Sequence, residues 1–166
     1  TRQYKARGWR YIFDPGQSIP AWGRAELQEM TRGALALIAN DYELEMLRRK
    51  TGLDEEGLLK LTGVILTTRG EKGSVLLTAA GKEEFPAVPP RQVQDPTGAG
   101  DAYRAGLLKG LALSLSWAEA ARLGAVVASF AVELQGTQEH RVSREEILGR
   151  FDENFGPAPQ SLKDAL

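Results

Sequence analysis

The 166-residue sequence contains no cysteine. Disulfides, thiolate zinc sites and cysteine nucleophiles are therefore excluded. Its single histidine is His140, so any serine–histidine triad would run through that residue. Methionine is held to 2 residues and asparagine to Asn40 and Asn154. Scarcity of such labile residues is a weak mark of a heat-stable protein. No apolar run reaches the length needed to span a bilayer, and the opening "TRQYKARGWRY" lacks the apolar middle of a signal peptide. The cytoplasm is the expected compartment, with no membrane partner. A basic excess is missing as well: 21 basic and 22 acidic side chains give a formal net charge of −1. Nucleic-acid binding normally leaves a clustered basic footprint, so no nucleic-acid partner is expected.

What is present suits one globular domain over residues 1–166, with 42% hydrophobic and 26% charged residues. "WRYIFDPG" is a short β-rich run ended by the turn residues Asp14, Pro15 and Gly16. Residues 24–33 carry Leu27 and Met30 at helical spacing. "GALALIAN" (33–40) and "VILTTRG" (64–70) are continuous apolar runs, as in strands buried on both faces. "DYELEMLRRKTG" opens with acids and closes with basic residues and Gly52, the order that a helix dipole favours. "DAYRAGLLKGLAL" sets Ala105, Leu108, Leu111 and Ala112 on one helical face. A second long helix is expected from Ser116 as N-cap to Gly136 as stop. A third opens with Ser143 and Glu146 at capping-box spacing. Buried strands alternating with helices predict an α/β domain with a largely parallel sheet flanked by helices. Ligands of such sheets collect at the carboxyl ends of strands, where Asn40, Thr67, Thr68 and Asp95 fall.

"DPTGAGD" (95–101) places Gly98, Ala99 and Gly100 ahead of a helix. Small residues let backbone N–H groups approach an anion, and the helix N-terminus adds a favourable potential. Taken alone, such a turn is usually just a connection. It is neither a Walker motif nor a dinucleotide fingerprint. Asp101 is then either a helix cap or a general base beside a bound phosphate. "NDYE" sets Asn40 and Glu43 three apart at a strand end. The pair suits a hydrated magnesium ion or a cap beside a solvated acid. "TTRGEKG" (67–73) could cradle phosphates or form an ordinary hairpin turn. Arg104 is either a surface charge or faces an anionic ligand, and His140 is expected on the surface.

These segments together resemble the ribokinase-like (PfkB) carbohydrate and nucleoside kinases. "DPTGAGDAYRAG" is similar to the family's second signature, Asp-x-Thr-Gly-x-Gly-Asp, and "NDYE" to its Asn-x-x-Glu motif. "TTRGEKGSVLL" resembles its strand–turn–strand beside the nucleotide, and "ELQGTQ" falls where its C-terminal cation loop belongs. The order and spacing agree along nearly the whole sequence. "FDPGQ", "DAYRAG" and "GTQ" lean toward the adenosine- and nucleoside-kinase-like branch.

The resemblance implies a three-layer ribokinase-like fold and ATP-dependent phosphotransfer to a hydroxymethyl group of a nucleoside or sugar. It makes Asp101 the catalytic base and Gly98, Ala99 and Gly100 the anion hole. Asn40 and Glu43 organise Mg2+, and Thr68, Gly70 and Gly73 lie along the ATP. Asp95 and Thr97, with backbone near Ala131, Leu134 and Gly136, resemble a monovalent-cation (K+) site. The family's preceding half, with its Gly-Gly signature, much of the sugar pocket and the lid, has no counterpart here. A fragment, a split subunit or a shortened relative is therefore expected, with a sheet edge open to that missing half or to self-association. A non-catalytic nucleotide-binding or interaction module derived from the same family is the alternative.

Overall fold

The computed structural model describes residues 1–137, 139 and 141–165. His140, and the Gln138 that closes "GTQ", lie outside the described residues. The chain divides into two compact units: residues 1–70 with 74–84, and residues 71–73 with 85–166.

The first unit is built on a sheet. A short helix α1 (Arg2–Ala6) precedes strand β1 (Ile12–Phe13), a 3-10 segment and helix α2 (Arg24–Thr31). Strand β2 (Ala36–Asn40) leads into helices α3 (Asp41–Thr51) and α4 (Glu55–Thr62), then strand β3 (Val64–Thr68). Because a helical crossover returns the chain to the same end, β1–β2 and β2–β3 pair in parallel. A tight 3-10 turn (Gly70–Lys72) then reverses direction, and strand β4 (Ser74–Thr78) pairs antiparallel with β3. Strand β5 (Gly81–Phe85) completes the order β1-β2-β3-β4-β5. The sheet is thus mixed, with its parallel part on the β1–β3 side.

Burial explains which runs became strands. Ala36 to Ala39 of β2 are all buried, as the continuous apolar run predicts. Phe13, Ile19, Leu27, Leu37, Leu47 and Leu58 belong to one core cluster. Strand β5 reads "GKEEF" and is exposed except for Phe85, so Lys82, Glu83 and Glu84 charge that sheet edge against further pairing.

The second unit contains helices α5 (Ala99–Ala112), α6 (Trp117–Ala131), α7 (Arg144–Phe155) and α8 (Gln160–Ala165). The apolar pattern of α5 does not mark its buried face, and the expected end of α6 is corrected. Helix α5 does not bury the face of Ala105, Leu108, Leu111 and Ala112; Leu108 is 50% exposed. It buries Ala102, Tyr103, Gly106, Leu107 and Gly110 instead. The reason is close helix contact. A Cβ on Gly106 would stand 2.9 Å from Gly124 Cα, and one on Gly110 2.9 Å from Ala120 Cα. An apolar count overlooks a seam made of glycine. Helix α6 ends at Ala131 rather than at Gly136. The Val132 carbonyl is taken instead by the N–H groups of Gln94 (2.8 Å) and Asp95 (3.3 Å).

Candidate functional site

In the first unit, the parallel register sets Asn40 directly beside Thr68, both at carboxyl ends of adjacent strands. The period and pairing of β2 and β3 therefore join two residues that the sequence separates. Asn40 is the N-cap of α3. Its Oδ1 accepts the Glu43 N–H at 2.8 Å, and Glu43 Oε2 accepts the Asn40 N–H at 2.9 Å. This is a closed capping box. Glu43 is buried, 9% exposed, rather than solvated. The donor set suits one hydrated magnesium ion and not an all-protein cage. Among the described residues, no three His, Cys, Asp or Glu side chains gather as a metal site.

Gly70 opens the turn after Thr68, with Arg69 paired to Glu84 at 2.8 Å. Gly73, in the second unit, has a structural duty of its own. Its φ is +80°, and a Cβ there would lie 2.0 Å from the Phe85 carbonyl oxygen and 2.7 Å from the Ala87 nitrogen. No side chain fits between those backbones.

The turn 95–101 is laced to the segment that follows α6. Asp95 Oδ1 accepts the Thr97 N–H at 2.9 Å, and Oδ2 accepts the Gly136 N–H at 3.1 Å. Hydrogen bonds from Thr97, side chain and backbone, and then from Gly136 hold the Asp95 carboxyl below its usual range. A lowered folded-state pKa means that this contribution is present above the ordinary carboxylate pKa and is lost as pH falls through the folded value. A carboxylate has about four acceptor sites, so Asp95 retains capacity for a cation. Of the backbone groups expected beside it, Ala131 is the buried last residue of α6, Leu134 is 39% exposed, and Gly136 has a φ of +96°.

Gly98 caps α5 from the left-handed region, with a φ of +86°, and a Cβ on it would meet Thr137 at 3.3 Å. It supplies no side chain to the orphan N–H groups of the helix. Helices α3, α4, α6 and α7 have side-chain caps, from Asn40, Asp54, Ser116 and Ser143, whereas α2 shares a glycine N-cap, with Glu26 accepting only the Gly23 N–H. Asp101 sits in the first turn of α5. Its side chain is 91% exposed, and Arg104 Nη1 stands 3.6 Å from Oδ1. The helix start thus joins small residues to an open carboxylate, with the Ala99 N–H turned to the Pro96 carbonyl at 3.2 Å.

Sequence reasoning missed Arg150 and Glu133, a pair 2.8 Å apart in the second unit, with Arg150 buried and Glu133 half-buried. The available signal was Arg150 standing three residues after Ile147 and next to Phe151, on the apolar stripe of α7. A cavity of about 330 Å³ lined by Arg2, Tyr4, Trp22, Glu26 and Met30 among others contains none of the expected site residues. No helix among the described residues is long and apolar enough to cross a membrane.

Comparison with known proteins identifies the family. The profile of the pfkB family carbohydrate kinases matches residues 2–143. A nucleoside kinase of Methanocaldococcus jannaschii is 32% identical over 142 residues, which are 86% of this chain and 47% of that protein. The solved nucleoside kinase of Burkholderia thailandensis in complex with inosine is 37% identical. It matches 95% of this chain and 52% of its own length with a TM-score of 0.92. The same kinase in complex with ADP-inosine also matches with a TM-score of 0.92, over 95% of this chain and 50% of its own. The chain spans about half the length of the relatives it matches. Its α/β architecture is the ribokinase-like one expected from the sequence. On the family match, the chain belongs to the pfkB family of carbohydrate kinases.

Proposed function

We propose that residues 1–166 act as one α/β domain, the nucleotide-binding, catalytic half of an ATP-dependent kinase for a nucleoside or sugar hydroxymethyl group. The observation that carries this is the start of α5, where a left-handed glycine cap and small residues stand beside an open carboxylate, Asp101. A helix N-terminus that opens with small residues lets an external anion approach its backbone. Relatives solved with inosine and with ADP-inosine support a nucleoside acceptor and a nucleotide donor.

In this reading Asp101 takes the proton from the acceptor hydroxyl as its oxygen attacks the γ-phosphorus of ATP. The new O–P bond forms as the bond from phosphorus to the β,γ-bridging oxygen breaks and ADP departs with that electron pair. N–H groups of Gly98, Ala99 and Gly100 receive the charge on the transferring phosphoryl group. Thr68, Gly70 and Gly73 run along the nucleotide. Asn40 and Glu43 would hold Mg2+ through water, and the ion, when bound, offsets charge on the phosphates. Asp95 and Thr97, with backbone near Ala131, Leu134 and Gly136, would hold a monovalent cation such as K+. The remaining half of the fold, or a second copy at the β1 edge, would complete the assembly, in the cytoplasm.

The test is a coupled ADP-release assay with inosine, adenosine and ribose, on the chain alone and completed with a family N-terminal half. Turnover is expected only in the completed form, and Asp101→Asn should lower it by about 10²- to 10⁴-fold while leaving ADP affinity intact. Near-normal turnover in the variant overturns the assignment of Asp101 as base.

A further inference from the structure

The second unit buries one charged side chain among its described residues, Arg150 of α7, which is 7% exposed. Its Nη1 donates to Glu133 Oε1 at 2.8 Å and to Ser129 Oγ at 2.9 Å, and its Nη2 donates to Glu133 Oε2 at 3.3 Å. The guanidinium also lies over the Phe130 ring, 3.5 Å from its centroid. Glu133 is thus gripped in two-pronged fashion just beyond the end of α6. Such a grip fixes orientation as well as distance.

We infer that the Arg150–Glu133 pair is a positioning clamp for the turn 95–101. Glu133 Oε1 accepts the backbone N–H of Arg91 at 2.6 Å. Its neighbour Val132 accepts from Gln94 and Asp95, and Gly136 donates to Asp95 Oδ2 at 3.1 Å. Segment 132–136 and segment 91–97 are therefore stitched at both ends, and the first of these segments is held by the clamp. Asp95 in turn receives the Thr97 N–H, which fixes the entry to Gly98 and to the first turn of α5. Arg150 touches none of the proposed reacting groups; it acts through Glu133. Apolar residues of similar size usually pack a helix pair at least as stably as a buried ion pair does. What an apolar pair cannot do is hold the Arg91 N–H and set the angle at which the chain leaves α6.

The functional consequence rests on the nucleotide-binding reading of turn 95–101, so the test separates the two. The double variant Arg150→Met with Glu133→Leu removes the pair without stranding a buried charge. In this variant the amides of Gln94, Thr97 and Gly136 should exchange with deuterium at least tenfold faster, with the β2–β3 ladder unchanged. Arg150→Lys, which keeps the charge but loses the two-pronged grip, should fall between. ADP, used as the probe, should bind at least fivefold more weakly to the double variant. A purely structural role would lower Tm and speed exchange throughout. Unchanged exchange at those three amides in a folded double variant overturns the clamp. If the double variant does not fold, Arg150→Lys alone decides, by at least threefold faster exchange there or none. Faster exchange with ADP binding by neither protein upholds the clamp and fails the nucleotide reading.

Discussion

Helices α3 and α5 both begin at turns that the sequence marks as candidate sites, and both carry an acid in their first turn. They use it in opposite ways. In α3, Glu43 turns back on the Asn40 N–H and is buried, so the helix start is closed by its own side chains. In α5, the cap is a glycine and Asp101 faces solvent at 91% exposure. Position in a helix does not settle the role of a carboxylate; what its oxygens touch does. A capped start contributes to stability, whereas an uncapped start beside small residues lets an anion approach.

The largest expected effect comes from putting a side chain into the open start. Gly98→Ala forces a left-handed residue to carry a Cβ against Thr137, at about 1–2 kcal/mol of strain. It should lower Tm and also weaken ADP binding, because the turn itself shifts. A variant that loses stability but binds ADP normally would break the link between cap and ligand site. Next is Asn40→Ala, which opens the closed start. Loss of the cap should cost about 1 kcal/mol in urea unfolding. No loss would mean that the box contributes nothing in solution. The smallest stability effect belongs to Glu43→Gln, since a glutamine oxygen still accepts the Asn40 N–H. Stability should hold within about 0.5 kcal/mol. Removing the charge should nevertheless reduce the magnesium dependence of ATP binding. An unchanged magnesium dependence would leave "NDYE" as a cap alone.

Much of this contrast was legible in the residues. Ser143 with Glu146 announced its capping box by spacing, and it formed; Asn40 was expected as a cap beside a solvated acid, but Glu43 folds back on the Asn40 N–H and is buried. The apolar runs ending at Asn40 and Thr68 became adjacent parallel strands because no polar residue interrupts them. Other features depend on tertiary contact. The buried face of α5 runs through Gly106 and Gly110, which hydrophobicity does not count, since their value lies in the missing side chain. The end of α6 was misplaced because the Val132 carbonyl found partners in Gln94 and Asp95, which lie well upstream in the sequence. Burial of Arg150 follows from Glu133 and Phe130 on another helix and its exit, so its place beside Ile147 and Phe151 could mark the buried face but not the partner.

The claim that α5 is open for phosphate while α3 is closed is tested most directly by titrating millimolar ADP in magnesium-free buffer and following backbone amides by NMR. The account predicts shifts and slowed exchange at Ala99, Gly100 and Asp101, with Asp41, Tyr42 and Glu43 unmoved. Saturating ADP that leaves residues 99–101 unchanged, or that acts at residues 41–43 instead, would contradict it.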